Sequence, residues 1–516
     1  MEREKVKAAR ELIAYNDLKK WIIDPGFCTL CGACEAACPV HALRIEDEKL
    51  LYVQDCSKIM EFCPICYDVC PHTDAFLIEA LSFVTDAPYM RESIGYYRKI
   101  LLAQATDPKL RELSHSGGVV TALLTHSIKK GFIDSAIVSR AEEKAPLKLK
   151  AAISLVPDDI FSAVDATYSP SAVAKAFGKA VHEYGKTKIA FVGTPCQVLA
   201  IRKLESWEHK IVGSLKLVIG FICLWSFSLK HLLESLEKTH KIKHSEIEKV
   251  TLNKEYSVHM KDKTVKVPIK EVEEHVLPSC LTCNDYTSQL ADIAVGGAHP
   301  LEEWSTVIIR TENGEKIFED AVKNGVIRVK NIEDEPEVFA HLVEMADFKR
   351  KTALETLQKR KSSGKPVPPG PLRLTELLPK ELSLLSNLNV EQIMTKDVMT
   401  ISPETTMEEL LGIMTKHHHM GYPILDKNNK LLGIATFEDL MKVPSEKRRK
   451  VKVKDVKKEK LITVYPDDTV LTAYEKMTEH GIGRILVVNR EKPRKLLGII
   501  TKTDIIQTLR WPMKRR

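Results

Sequence analysis

"FCTLCGACEAACPV", residues 27–40, places four cysteines within eleven positions. Cys28, Cys31, Cys34 and Cys38, the last followed by Pro39, obey C-x2-C-x2-C-x3-C-P, the run that holds a cubane iron–sulfur cluster. The geometry behind the spacing is local. Three thiolates on one tight loop grip three corners of the cube, and the fourth starts a helix that crosses to a neighbouring cluster. A second run is therefore expected, and "CSKIMEFCPICYDVCP" (56–71) supplies it with Cys63, Cys66 and Cys70 before Pro71. The position where its remaining ligand would normally sit is Met60, so Cys56, four residues earlier, is read as the replacement on a widened loop. The reading assigns Cys28, Cys31, Cys34 and Cys70 to one cluster, and Cys56, Cys63, Cys66 and Cys38 to the other. The alternative, a zinc site, usually pairs two knuckles across a longer spacer and often includes histidine.

The rest of the chain bounds the setting. With 516 residues it is too long for a single core, and 44% apolar and 28% charged residues describe an ordinary globular protein. A net charge of +7 is mild at this length and does not point to nucleic acid. The start of the chain shows no charged-then-apolar leader, which predicts a cytoplasmic location, where thiols stay reduced and metal ligation is the better default. The longest apolar stretch, "LKLVIGFICLWSF" (215–227), is too short to span a bilayer and reads as a buried strand, so no membrane span is expected.

Four further cysteines are scattered: Cys196 in "FVGTPCQVLA", Cys223 in "GFICLWSF", and Cys280 and Cys283 in "LPSCLTCNDYTSQLADIAVGG". Taken singly, each reads as a small buried hydrophobe. Cys196 and Cys223, however, both fall just past a buried-strand run, where open α/β sheets bind ligands, and Cys280-x2-Cys283 adds two thiols on one loop. "HSGGVVTALLTHSIKKGFIDSAIV" (115–138), "FVGTPCQVLAIRKL" (191–204), "CLTCNDYTSQLADIAVGG" (280–297) and "WSTVIIRTENGEKIF" (304–318) resemble the family of beta subunits of coenzyme F-420-reducing hydrogenases and dehydrogenases. Members carry FAD and a cubane cluster and exchange hydride with the deazaflavin coenzyme. The resemblance implies that Cys196, Cys223, Cys280 and Cys283 hold a third [4Fe-4S] cluster. His72 after "CP", where related members often have arginine, and "GGAHPLEEW" (296–304) depart from the pattern.

"SHSGGVVTALLTHSIKKG" (114–131) opens a helix on a Ser-rich Gly-Gly turn, where small residues and the helix N-terminus suit a phosphate. The plain alternative is a core helix capped by Ser116. With the resemblance, Ser116, Gly117, Gly118 and Thr121 become pyrophosphate-side contacts of FAD. "YSPS" (168–171) offers a second phosphate-facing turn, and Thr194 in "GTP" approaches the ring. No catalytic acid or base is singled out.

Beyond "KRKSSGKPVPPGPLR" (359–373) lies an internal repeat. "MTISPETTMEELLGIMTKHHHMGYPILDKNNKLLGIATFEDL" (399–440) aligns with "ITVYPDDTVLTAYEKMTEHGIGRILVVNREKPRKLLGIITKTDI" (462–505), one supersecondary unit used twice. The pair resembles tandem CBS domains, which implies that Thr436, Asp439, Thr501 and Asp504 contact an adenine nucleotide such as AMP, ADP or ATP. T-x-x-D also approximates a capping box, the competing explanation. Three adjacent histidines in "KHHH" (416–419) point in different directions on a helix and read as a solvated face, as does the basic run at 446–460.

The expectation is an α+β and α/β multidomain chain. It comprises a ferredoxin-like two-cluster module (18–82), an α/β flavin and iron–sulfur domain (90–358), a linker (359–385) and a tandem CBS (Bateman) module (386–443 and 453–511). The function expected is hydride exchange with coenzyme F-420 through FAD. Single electrons pass over three clusters to a ferredoxin or catalytic partner subunit, with nucleotide regulation and a homodimer contact at the CBS pair. The same cofactors would also serve formate, sulfite, glutamate or pigment chemistry, and a nucleotide and redox sensor without turnover is the reading from another class.

Overall fold

The computed structural model describes residues 14–508 apart from 47, 61–62, 88, 92, 113–116, 143–144, 162–168, 253–255, 371–384, 386, 418, 420, 457–460, 481, 502–503 and 506–507. The chain divides into two compact units, residues 1–375 and 376–516.

The first unit is built on an eight-stranded mixed sheet. Its strands are β1 (Lys99–Ala105), β2 (Ser135–Glu142), β3 (Ala145–Ser154), β4 (Ile189–Gly193), β5 (Leu215–Phe221), β6 (Ile293–Ala298), β7 (Leu301–Ile309) and β8 (Ile327–Asn331). Their order is β8-β1-β7-β6-β5-β4-β2-β3. All five residues of β4 are buried, as a near-continuous apolar run in the middle of a covered sheet requires. β2, β4, β5 and β6 run parallel. β1 shares their direction, because it is antiparallel to β7, itself antiparallel to β6. The carboxyl ends of these five strands therefore meet along one edge, where such sheets bind ligands.

Helix α1 (Val119–Lys129) covers one face of the sheet through Val119, Ala122 and Leu123. On the other face lie α2 (Val173–His182), through Val173 and Phe177, and α3 (Pro195–Ser206), through Val198 and Ile201. Between β5 and β6 the chain leaves the sheet for a helix at Leu229–His240, a three-stranded antiparallel sheet and the short α4 (Pro278–Leu281). Trp225, Phe227 and Tyr256 give this excursion a core of its own.

The cysteine-rich N-terminal module is small and loop-dominated, with one antiparallel hairpin, Leu43–Glu46 against Lys49–Tyr52. Direct backbone packing fixes it to the sheet domain. Gly32 has φ +86°, and a Cβ there would sit 2.7 Å from the Lys175 main-chain nitrogen on α2. Ala174 N–H donates to Cys31 O at 3.0 Å, and the Lys175 ammonium reaches Glu35 at 2.8 Å.

After β7 come α5 (Glu312–Lys323), β8 and the long α6 (Pro336–Ser362). α6 runs past residue 359, where the sequence marks the start of a linker. Arg360 and Lys361 are good helix formers and suit the negative end of the helix dipole. Gly364, at φ +66°, then turns the chain away.

The second unit repeats one motif. Helix α7 (Met407–His417) precedes antiparallel β9 (Gly421–Leu425) and β10 (Leu431–Thr436). Helix α8 (Val470–Glu479) precedes antiparallel β11 (Arg484–Val488) and β12 (Leu496–Thr501). His417 closes α7, so the histidine run straddles a helix end, and His418 lies outside the described residues. In the basic run, Lys452 and Lys454 pair with Glu404 at 2.6 and 2.8 Å. Among the described residues no helix is long and apolar enough to cross a membrane.

Candidate functional site

The twelve cysteines, all with free thiols, fall into three groups. Cys28, Cys31, Cys34 and Cys70 line one cavity with Ile22, Ile45, Leu50 and His72. Burial pushes the Cys31 and Cys34 thiols well above their ordinary range, and the other thiols of the quartet push the same way. Cys70 is raised to about 12 by burial, against the pull of Lys203. Thiols so placed do not ionise alone. Only a cationic centre among them makes four thiolates tolerable there.

The second group is Cys38, Cys56, Cys63 and Cys66. Burial raises Cys63 first, and Cys38 and Cys56 are the neighbouring thiols that add to it. Cys66 rises through burial and then through Cys63, Cys56 and Cys38. Cys56 packs beside Cys38 and Ala42, and its sulfur accepts a hydrogen bond from Tyr52 Oη at 3.3 Å. Asp55 caps a 3-10 turn at Cys56–Lys58, and Met60 N–H folds back onto Cys56 O at 2.9 Å. The widened loop thus turns Cys56 inward.

The third group assembles at the carboxyl edge of the sheet. Cys196 sits in the first turn of α3, behind the Thr194–Gln197 capping box, with Thr194 Oγ1 3.3 Å from its sulfur. Cys223 follows β5, and Cys280 and Cys283 flank the end of α4. Ser226 N–H donates to Cys280 Sγ at 3.3 Å, and Cys223 N–H to Tyr286 O at 2.9 Å. Burial raises Cys280, with Cys223 the largest thiol contributor and Cys196 a smaller one. It raises Cys223 to about 12, with Cys196 and Cys283 adding to the shift.

Zinc needs ligands about 2.3 Å from one ion, which brings thiolates to within about 4 Å of each other. Among the described residues no three Cys, His, Asp or Glu groups converge on a single ion.

The groups adjoin in the order third, first, second. Cys196 is among the charges acting on Cys31, and the Thr29 hydroxyl is among the groups acting on Cys196. Thr29 Oγ1 also lies 3.3 Å from His72 Nε2. Burial drives the His72 imidazole down to about 3, with Lys203 adding to the effect, so it is neutral. On the other side Cys66 is acted on by Cys70.

The expected flavin contacts have a different character. Gly117 (φ +23°) and Gly118 (φ +68°) lead into α1, which has no side-chain cap. A Cβ on Gly117 would lie 2.8 Å from Ala103 O and Ser305 Oγ, and one on Gly118 would lie 2.9 Å from Leu110 O. The fold itself demands both glycines. Thr121 is buried in α1, and Ser116 and Tyr168 lie outside the described residues. Ser171 Oγ is 2.7 Å from Ser139 Oγ. Gly117 sits over β1 and Thr194 ends β4, four strand spacings apart in the sheet order, or about 19 Å. One dinucleotide reaches both only by lying extended along the edge. A cavity of about 1090 Å3 lies at the opposite edge, at the amino end of β1.

Both T-x-x-D pairs close on themselves. Thr436 N and Oγ1 donate to Asp439 Oδ2 at 3.0 and 2.6 Å, and Asp439 N–H returns to Thr436 Oγ1 at 3.4 Å. Thr501 and Asp504 repeat this with 2.7, 2.7 and 3.2 Å.

Two residues escaped the sequence reading. Lys203 and Lys349 are 0% and 2% exposed, and each donates to the carbonyl of a cysteine, Lys203 to Cys70 O and Lys349 to Cys223 O, both at 2.6 Å. For Lys349 a signal existed: Val338, Leu342, Ala346, Ala353 and Leu357 form the buried stripe of α6, and a lysine occupies the step between 346 and 353.

Residues 100–177 and 186–335 match the N-terminal and C-terminal models of "Coenzyme F420 hydrogenase/dehydrogenase, beta subunit". Residues 21–44 match "4Fe-4S binding domain", and 390–446 and 453–510 each match "CBS domain". One component of the F(420)H(2) dehydrogenase of Methanosarcina mazei is 31% identical, covering 65% of this chain and 93% of that protein. The coenzyme F420 hydrogenase subunit beta of Methanothermobacter thermautotrophicus is 29% identical, covering 53% and 99%. Among solved structures, a chain of the F420-reducing [NiFe] hydrogenase complex from Methanosarcina barkeri superposes with a TM-score of 0.52 at 28% identity. That match covers 54% of this chain and 98% of the other.

Proposed function

Because the chain belongs to the family of coenzyme F-420 hydrogenase and dehydrogenase beta subunits, extended by a 4Fe-4S module and a CBS pair, we propose that it exchanges hydride with coenzyme F-420 through FAD and passes single electrons over three [4Fe-4S] clusters to a ferredoxin or a catalytic partner subunit. The observation that supports this reading is that the twelve cysteines, buried or half-buried, group into three adjoining quartets. FAD, when bound, supplies the conversion between a two-electron hydride and one-electron carriers.

The chain's own residues hold and order these groups. Cys28, Cys31, Cys34 and Cys70 would ligate the first cluster, Cys38, Cys56, Cys63 and Cys66 the second, and Cys196, Cys223, Cys280 and Cys283 the third. Thr29 and neutral His72 fill the space between the first and third without adding charge. Gly117, Gly118, Thr121 and Thr194 would contact the flavin along the carboxyl edge, next to Cys196. In the second unit, Thr436, Asp439, Thr501 and Asp504 would bind adenine nucleotide and tune the rate, and the pair would form a homodimer contact.

Anaerobic protein should contain about twelve irons and one FAD per chain, and reduced coenzyme F-420 should bleach the flavin. About eight irons in flavin-loaded protein would return Cys196, Cys223, Cys280 and Cys283 to a packing role. A flavin that stays oxidised under reduced coenzyme F-420, with full cofactor content, would remove the hydride partner and keep the electron path.

A further inference from the structure

A lysine wholly removed from water is costly unless a negative group or a full set of hydrogen bonds receives it. Lys203 lies on α3, the helix that also carries Cys196, and its ammonium meets three acceptors: Cys70 O at 2.6 Å, Thr73 O at 2.8 Å and Thr73 Oγ1 at 3.2 Å. The Thr73 hydroxyl proton has acceptors of its own in Tyr67 O and Cys70 O, which leaves the Oγ1 lone pairs to accept the lysine N–H. Three donors on three acceptors is the bonding pattern of a protonated amine. Lys349 interrupts the apolar stripe of α6 to bond Cys223 O, and its charged surroundings are Cys283, Cys223, Cys280 and Asp285. Packing alone would have placed an apolar residue at that step, as it does at Ala346 and Ala353. Two unrelated helices therefore each deliver a buried ammonium to the main chain of a cysteine, in two different quartets.

A cubane held by four thiolates is a net anion, and each one-electron reduction adds a negative charge without making or breaking a bond. A fixed positive charge beside it stabilises the reduced form more than the oxidised form. We propose that Lys203 and Lys349 are positioning residues that raise the reduction potentials of the first and third clusters, respectively. The inference rests on the reading of those quartets as cluster ligands. The second quartet is the internal control: the side-chain donor beside Cys56 is the neutral Tyr52 hydroxyl.

The test compares Lys349→Gln, Lys349→Arg, Lys203→Gln and Lys203→Arg in the full chain, titrated with dithionite and mediators and read by EPR. Glutamine keeps an N–H donor and removes the charge, whereas arginine keeps both. At the potential where the unaltered third cluster is half reduced, Lys349→Gln should lower its reduced-to-oxidised ratio at least tenfold, 59 mV for one electron. Lys349→Arg should stay within about twofold of the parent ratio. Lys203→Gln should do the same to the first cluster, and the second cluster should not move in any variant. Unchanged ratios in the glutamine variants, or equal shifts in the arginine variants, would overturn the inference. Iron lost only from the glutamine variants supports a need for charge. Iron lost from both kinds reduces the lysines to packing. A parent protein with about eight irons removes the reading of that quartet itself, and with it the role of Lys349, before any variant is compared.

Discussion

The cysteine quartets and the two T-x-x-D turns are both ligand-site candidates, and the structure treats them in opposite ways. In the quartets, buried thiols raise one another, and the ammoniums of Lys203 and Lys349 offset this only in part. In the turns, each aspartate accepts two hydrogen bonds from its threonine and returns one, so local bonding already accounts for both residues. A motif whose bonding capacity the fold consumes makes a weaker claim to a ligand than one whose burial is only partly compensated. Gly117 and Gly118 stand with the turns, because packing against Ala103, Ser305 and Leu110 demands them with or without a phosphate.

The sharpest way to break this contrast lies in the second quartet. Cys56→Ser should cost one whole cluster, about four irons, with the first and third EPR signals retained. Met60→Leu should leave iron content untouched, because Cys56, not Met60, packs beside Cys38. Iron retained in the serine variant and lost in the leucine variant would reverse the ligand assignment.

Gly117 gives the next largest effect. A Cβ 2.8 Å from Ala103 O at φ +23° adds overpacking to backbone strain. Gly117→Ala should therefore destabilise the sheet domain by about 2–4 kcal/mol in denaturant unfolding, in flavin-free protein as in loaded protein. Gly131, at φ +71° with nothing within 4 Å of its Cβ position, isolates the backbone part, and Gly131→Ala should cost about 1–2 kcal/mol. Flavin loss from Gly117→Ala at parental stability would show that the glycine serves the ligand and not the fold.

What the sequence made legible follows the range of the interactions involved. Cys28, Cys31 and Cys34 were readable because chelation on one loop is a matter of spacing. That β4 and β5 are buried strands was readable from their apolar runs. Cys196, Cys223, Cys280 and Cys283 come from three separate segments that only the strand order brings to one edge, so spacing carried little of that site. Lys203 lies in a helix buried on nearly every side, and no periodicity in "CQVLAIRKLES" sets it apart from a solvated lysine. Lys349 was visible in principle, as a charge at an apolar step of α6. Residue 359, where the linker is read to begin, falls inside α6, because charged residues that suggest solvent also extend a helix whose buried stripe ends at Leu357.

The smallest expected effect bears on the T-x-x-D turns, where capping and ligand binding make separable demands on one carboxylate. Asp439→Ala removes the acceptor for Thr436 N–H and Oγ1–H and should lower the stability of the C-terminal unit by about 1 kcal/mol. Asp504→Ala should cost less, because Asp439 is buried and Asp504 is half-buried. An asparagine at either position keeps the carbonyl acceptor and drops the charge. Asp439→Asn should therefore recover most of the lost stability. If the carboxylate also receives ribose hydroxyls through its second oxygen, the asparagine variant should still bind AMP, ADP or ATP more weakly. Loss of a charge-assisted hydrogen bond is worth about 1.5–3 kcal/mol, roughly tenfold or more in Kd. Calorimetric titration of the full chain beside thermal unfolding separates the two demands. Stability restored and affinity still reduced would give the aspartate a ligand role beyond its cap. Stability and affinity restored together would leave the turn as a helix start and nothing more. A nucleotide that binds and leaves coenzyme F-420 turnover unchanged would then have equal affinity for the active and inactive states, and it would not be an effector.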